Sequence, residues 1–485
     1  MQPPLRIQNN ALIVILFSLL GSALAESGEL YFTSFFPPQE FQARRTKVMD
    51  AIGPNGVAII RGNEGMPGYQ EFVQNNNTFY LSGVESPGAV LLIDGKSRET
   101  HLFLRPENRK REASEGPQLV PGPKASRVTG LRQVSSSDRL QDVLTKLVAP
   151  SRAIYIPRQP QELQGMSRDL ARRYNREIGE DPWDGRISRE ENFAKLLEKR
   201  FPESEIRDLS PILDRLRLIK SEREVAALRR ATELSMAAIV EAMKSTAPGI
   251  FEYELDALGQ FVFLRNGAAG LAYYALVATA ENAYINHYHT GRSKLEEGDF
   301  LLFDFGPEYQ YYTADVTRMW PVNGKFSPWQ RELYGFYLDL YKALMARIRP
   351  AVPVRQIMQE VASDWEKILT GAQFSLAEYQ NAAESFVAAY RDRSLRSGPV
   401  SLGHWVGLAT HDVGGPVEQL EAGMVLTIEP QFRVPEKEIY IRLEDMLLVT
   451  PTGVENLSAA LPMEIEQIEA VMKGRGLLQS YPRAP

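Results

Sequence analysis

Five residues in the second half of this 485-residue chain have the side chains of a metal centre: Asp304, Asp315, His404, Glu429 and Glu444. Asp304 and Asp315 stand near the two ends of FDFGPEYQYYTADVTR (303–318), which otherwise reads as a hairpin of aromatic and β-branched residues and contains no lysine. Strand interiors are depleted in Asp, whose short polar side chain prefers turns. Glu429 closes the apolar run of GMVLTIEP, and Glu444 lies inside IYIRLEDMLLVT. A carboxylate buried in such a strand is costly unless it is paired or bound to a metal. Arg442 and Glu444 share a strand face, because alternate residues point the same way. One guanidinium can satisfy one acid but not four. Four of the five histidines, His287, His289, His404 and His411, also fall in this half, on predicted strands, whereas His101 is alone in the first half. Imidazole is the commonest metal ligand and the acid or base that works near neutral pH.

If the four acids converge with His404, a total charge of about −4 calls for two divalent cations. Two bridging carboxylates would hold the ions roughly 3.5–4 Å apart, the spacing of two-metal hydrolases. An oxygen-rich donor set suits harder ions such as Mn²⁺ better than a thiolate-rich site would. Such a pair lowers the pKa of a bridging water and supplies hydroxide at neutral pH.

A scaffold must bring these residues together. Residues 30 to about 200 alternate short apolar runs (GVAIIRG, GAVLLID, ETHLFLR, RAIYIP) with helical stretches at 138–148 and 190–200, the pattern of an α/β domain. EGPQLVPGPKAS (115–126) reads as a long loop. Ser221 and Glu224 then form a capping box that opens a long helix, with Val225, Leu228, Thr232, Ser235, Met236 and Ile239 on one face. Further helices are expected at 251–266, 328–348, 354–369, 376–394 and 462–473. Strands are expected at 273–288, 299–318, 400–412, 423–434 and 438–450. Strands and helices are segregated here, which predicts an α+β domain around a curved antiparallel sheet.

Composition narrows the function. The chain has no cysteine, which excludes disulfides, zinc–thiolate clusters and cysteine nucleophiles. Its net charge of −6 and scattered basic residues argue against a nucleic-acid partner, and RPENRKRE (105–112) reads as a solvated loop. Arg6 precedes the apolar run ALIVILFSLLGSALA (11–25), which ends in the small-x-small pattern Ala23-Leu24-Ala25. That is the design of a secretory signal peptide. The expected organisation is a signal peptide at 1–25, an N-terminal domain at 26–205 and a catalytic domain at 206–485. The mature protein is expected to be exported, periplasmic or secreted, without a stable membrane anchor.

The ordered set Asp304, Asp315, His404, Glu429 and Glu444 resembles the pita-bread metallopeptidases, in their aminopeptidase P and prolidase branch. FDFGPEYQYYTADVTR followed by PVNGKFSPWQRELY, then GHWVGLATHDVGG, GMVLTIEP and IRLED, are similar to the family's successive motifs. FQARRTKVM and FYLSGVESPGAVLLI look like the branch's N-terminal domain, so the likeness covers nearly the whole mature chain. The resemblance implies two divalent ions, with Mn²⁺ favoured over Zn²⁺ or Co²⁺. Asp304 would bind one ion, Asp315 and Glu444 would bridge both, and His404 and Glu429 would hold the other. It gives Glu429 a further role as proton shuttle and places His287 near the scissile peptide. His411 would contact the substrate and stabilise the tetrahedral intermediate, and Arg442 would orient Glu444. His289 is a neighbour without a catalytic role.

The implied reaction is removal of the N-terminal residue from peptides with proline second, by attack of a metal-bridging hydroxide. Proline lacks an amide N–H and fixes φ, so such peptides need a dedicated pocket. Two alternatives stay open: a prolidase acting on Xaa-Pro dipeptides, and a pita-bread protein that binds partners without catalysis. Relatives imply a homo-oligomer, a dimer or tetramer. Two positions depart from the family pattern. Val400 stands where a histidine usually precedes the ligand histidine by four residues, and Gln431 stands where glycine is usual. Gln431 could narrow the pocket or point into solvent.

Overall fold

The computed structural model describes residues 32–65, 71–148, 151–162 and 167–481. The expected signal peptide at 1–25 lies outside the described residues. No helix among them is long and apolar enough to cross a membrane.

The first half folds around a six-stranded mixed sheet, in the order 133–136, 99–104, 90–94, 56–61, 153–156 and 206–208. The strands of GVAIIR and VLLID are apolar without interruption because both their faces are covered. Val57, Ile59, Val90 and Leu92 join Leu144, Val148, Ala194 and Leu197 on one side. Ala58, Ile60, Leu91 and Ile93 face the large core on the other side. This is the expected α/β arrangement, with helices at Leu140–Val148 and Arg189–Arg200. The expected loop at 115–126 is partly helical, because Pro123 sits at the first position of a short helix that runs to Thr129.

Helix Glu222–Ser245 carries the expected capping box at Ser221 and Glu224, and buries Leu228, Thr232, Ser235 and Ile239. Glu224 is itself buried. It accepts from the Tyr312 hydroxyl at 2.7 Å and stands 3.3 Å from Arg44, so the helix start joins both halves.

The second half is α+β. Three antiparallel strands, Leu276–Thr279, Phe300–Asp304 and Thr317–Pro321, pair with Asp304 opposite Thr317 and Leu276. A second three-stranded piece joins Val425–Ile428, Asp445–Val449 and Val454–Asn456. The bridge Thr317–Glu444 links the two pieces. Helices Pro328–Arg347, Val354–Gly371 and Ala377–Leu395 pack outside, burying Tyr334, Tyr337, Tyr341 and Trp365.

Several strand expectations change. The single hairpin expected over 303–318 is two hairpins. Between Asp304 and Thr317, residues 307–313 turn on Gln310 and Tyr311, both at positive φ, and pair among themselves. The strand expected over 273–288 ends at Thr279, where a 3₁₀ turn spans Ala280–Tyr284. The strand expected over 400–412 is a loop with a single bridge, Trp405–Leu426. Its glycines explain this: a Cβ at Gly403 would lie 1.8 Å from the Thr427 carbonyl oxygen, and one at Gly407 would lie 2.0 Å from an Asp412 oxygen. The four histidines of this half are therefore on loops, not on strands.

Candidate metal centre

Asp304 is the last residue of its strand, and Asp315 precedes Thr317, its cross-strand partner, by two. Cross-strand partners and alternate residues share a face, so both carboxylates turn to the same side. Both are buried. The Tyr273 hydroxyl stands 2.6 Å from Oδ1 of each. Glu444 is buried at the kink between strands Ile439–Ile441 and Asp445–Val449. Its Oε2 accepts from the Thr317 hydroxyl at 2.7 Å, while its Oε1 has no hydrogen-bond partner among the described residues. Glu429 follows strand Val425–Ile428 directly.

His404 completes the cage. Its Nδ1 lies 3.4 Å from the Trp405 carbonyl oxygen, which directs Nε2 inward. Among the described residues that nitrogen is buried without a hydrogen bond, 3.5 Å from Asp315, 3.6 Å from Glu429 and 3.7 Å from Glu444. The ligand atoms of Asp304, Asp315 and Glu444 lie within 4.8 Å of one another, and so do those of His404, Glu429 and Glu444. The same holds for Asp315, His404 and His411.

The electrostatics favour cations. Burial, then repulsion from Glu444 and Asp304, pushes the Asp315 carboxyl well above its usual range. Burial and repulsion from Glu429 push Glu444 up as well. His404 is raised although burial alone would lower it, because Glu444 and Glu429 favour its charged form. An unpartnered imidazole nitrogen beside an unpartnered carboxylate oxygen, both buried, is a donor set that fits divalent metal.

Arg442 donates to Glu429 at 3.1 Å and forms an ion pair with Asp304. Arg442, expected to orient Glu444, makes its carboxylate contacts with Asp304 and Glu429. Arg442 lies in the break between strands Ile439–Ile441 and Asp445–Val449, where strand alternation no longer sets the direction of a side chain.

These groups line a cavity of 330 Å³ that also takes in His287, His411 and Gln431. The His411 ring stacks on His404 at 3.8 Å between centroids. His287 lies in the loop after the 3₁₀ turn. That loop is held by Glu252, which accepts from the Tyr288 hydroxyl and from the backbone N–H groups of Thr279 and Ser293 at 2.9 Å each. His289 packs at a tilt against Tyr274, 4.7 Å between ring centroids, and is not part of the lining. Gln431 faces the cavity rather than bulk solvent, whereas Val400 packs against the core. Sequence reasoning missed Tyr273, which only the doublet Tyr273-Tyr274 upstream of the motif hints at. It also missed Ser167, Asp169 and Leu170, which enter the lining from the first half without any motif.

Comparison with known proteins agrees with this geometry. A model of metallopeptidase family M24 matches residues 226–451, and one of the aminopeptidase P N-terminal domain matches residues 41–155. A Xaa-Pro aminopeptidase of Haemophilus influenzae is 32% identical over 470 residues, covering 92% of this chain and 99% of the relative. A Xaa-Pro aminopeptidase of Escherichia coli is 31% identical over 455 residues, covering 90% and 97%. The solved structure of aminopeptidase P from E. coli with the inhibitor Pro-Leu superposes with a TM-score of 0.71 at 28% identity, covering 90% of this chain and 98% of that one. Fold and site together define a pita-bread metallopeptidase. The chain belongs to metallopeptidase family M24, in its aminopeptidase P branch.

Proposed function

We propose that this protein is an exported dinuclear-metal exopeptidase that removes the N-terminal residue from peptides whose second residue is proline. The observation that carries the reading is the His404 Nε2 atom, buried without a partner and 3.5–3.7 Å from three carboxylates. The names of the relatives supply the substrate class.

Asp304, Asp315 and Glu444 would hold one ion, and His404, Glu429 and Glu444 the other, with Asp315 close enough to His404 to serve both. Two divalent cations would supply Lewis acidity there, activating water as a nucleophile and polarising the scissile carbonyl. The oxygen-rich donor set supports Mn²⁺, with Zn²⁺ and Co²⁺ as alternatives. His287 and His411 line the cavity from opposite loops and would offer N–H groups to substrate carbonyls, including one that develops negative charge. Glu429, held on one oxygen by Arg442, would carry a proton to the leaving proline nitrogen. Arg442 fixes Asp304 and Glu429 relative to each other.

Export rests on the charged start, the apolar run 11–25 and Ala23-Leu24-Ala25. Amino-terminal sequencing of the protein recovered outside the cytoplasm should begin at Glu26. A homo-oligomeric state is part of the reading and is checked by light scattering.

The deciding experiment loads the mature protein with Mn²⁺ and follows release of the first residue from a Xaa-Pro-Yaa tripeptide. Release is the expected result. No release from a protein shown to contain metal would overturn the aminopeptidase reading, and cleavage of Xaa-Pro dipeptides alone would replace it with a prolidase.

A further inference from the structure

Part of the cavity wall comes from the other half of the chain. Of the thirteen residues of helix Arg168–Glu180, only Arg168 and Ala171 are buried. The helix is tied to the body through its first turn. The Ser167 hydroxyl caps it by accepting from the Leu170 N–H at 3.2 Å. Arg168 is paired with Glu162 at 2.8 Å and with Asp214. Glu162 in turn takes Arg217 at 3.1 Å, and Arg217 reaches Asp412, the neighbour of His411, at 2.5 Å. A continuous chain of buried ion pairs therefore fixes this turn relative to the metal cage.

The turn presents Ser167, Asp169 and Leu170 to the cavity, and Leu170 is the apolar one of the three. This leucine is partly buried yet packs into neither apolar core cluster. Apolar partners line the same cavity. Leu276 is the cross-strand partner of Asp304, and Tyr274 keeps 49% of its surface exposed. Other lining residues are polar, among them Ser167, Asp169, Thr410, His411 and Gln431. Beyond His404 and His411 the cavity adjoins a 350 Å³ cleft walled by the Gly414-Gly415-Pro416 turn. Gly414 and Gly415 leave that stretch of the wall without side chains, where an extending peptide backbone can lie.

We infer that Leu170 is a specificity-determining residue: with Tyr274 and Leu276 it forms the pocket for the side chain of the released N-terminal residue and limits that side chain's size. The inference rests on the proposed aminopeptidase reaction. A peptide whose scissile bond lies at the cage has two ways out. Its backbone beyond proline takes the cleft, and its first side chain takes the apolar side at Asp304. Among the described residues Leu170 belongs to neither core cluster, so core packing there does not account for an aliphatic group at that place.

The test measures kcat/KM of the metal-loaded mature protein for X-Pro-Yaa peptides with X as Ala, Leu or Phe and the rest constant. Wild type is compared with Leu170→Ala and Leu170→Trp. Leu170→Ala should raise the Phe-to-Ala ratio roughly tenfold, and Leu170→Trp should lower it by a similar factor, the range of a few methylenes in an apolar pocket. Thermal unfolding of each variant checks that it is folded. Equal changes across the series, or none, in folded variants overturn the assignment while leaving the reaction intact. Failure of the wild type to cleave any member overturns the reaction itself, and the assignment with it.

Discussion

The Tyr273 hydroxyl stands 2.6 Å from Oδ1 of Asp315, and it makes a contact of the same length with Asp304. A hydroxyl has one proton, so it can donate to only one of the two oxygens at a time. The tyrosine sets the spacing of two acids that repel each other. Tyr273→Phe keeps the ring and removes that tie. Metal affinity should fall about 10–100-fold, the usual cost of losing an outer partner of a ligand. Competition with a chromogenic chelator would measure it.

Asp304→Ala removes a carboxylate from the cage and leaves Arg442 with one acid partner instead of two. Metal content by atomic emission should drop below two ions per chain, and turnover should fall by about two orders of magnitude or more. Unchanged metal content together with unchanged cleavage would refute the dinuclear centre.

Removal of metal should also destabilise the fold. With no cation present, the described residues that compensate Asp304, Asp315, Glu429 and Glu444 by ion pairing are Arg442 and His404. A ligand that binds the folded chain alone stabilises it by about 2.7 kcal/mol at a hundredfold excess over Kd. The melting temperature should therefore fall on chelation and recover when Mn²⁺ is added back, as scanning calorimetry would show.

Arg442 reaches two acids with a planar fork that lysine lacks. Arg442→Lys should keep the charge but hold only one of Asp304 and Glu429. The expectation is a fall in kcat larger than any rise in KM, read from steady-state kinetics on the Xaa-Pro-Yaa peptide. Equal kinetics in the two proteins would make the fork irrelevant.

Arg217 and Asp412 are both about 99% buried at their side chains. Arg217→Met leaves Asp412 facing Lys220 at 3.7 Å and deprives Glu162 of one of its partners. Breaking such a pair typically costs about 3–5 kcal/mol. Urea unfolding would show it as a lower midpoint, and Arg217→Lys should recover part of the loss.

The ligand set was legible because acids in apolar strands break a rule that has a physical basis. Asp304, Asp315, Glu429 and Glu444 stood out for that reason, and with His404 they converge. Helix limits were equally legible where Pro328 or the Ser221–Glu224 box marks a start. The histidine loops were not. Residues 400–412 alternate enough to suggest a strand, but Gly403 and Gly407 are there so that backbone and Asp412 can approach closely. Arg442 shows a different limit, since it falls in a break between two strands where alternation no longer holds. Tyr273 and Leu170 enter the cavity through tertiary contacts, which no local pattern encodes.

The ion pair between Arg217 and Asp412 joins residues 195 positions apart. A ribosome working at about 5–20 residues per second makes the arginine roughly 10–40 s before its partner. Over that interval the first half can form its sheet and pair Arg217 with Glu162, while the turn that carries His411 does not yet exist. Glu429 and Glu444 come later still. A growing chain thus carries the turn of Arg168 and Leu170 long before it has the residues of the cage.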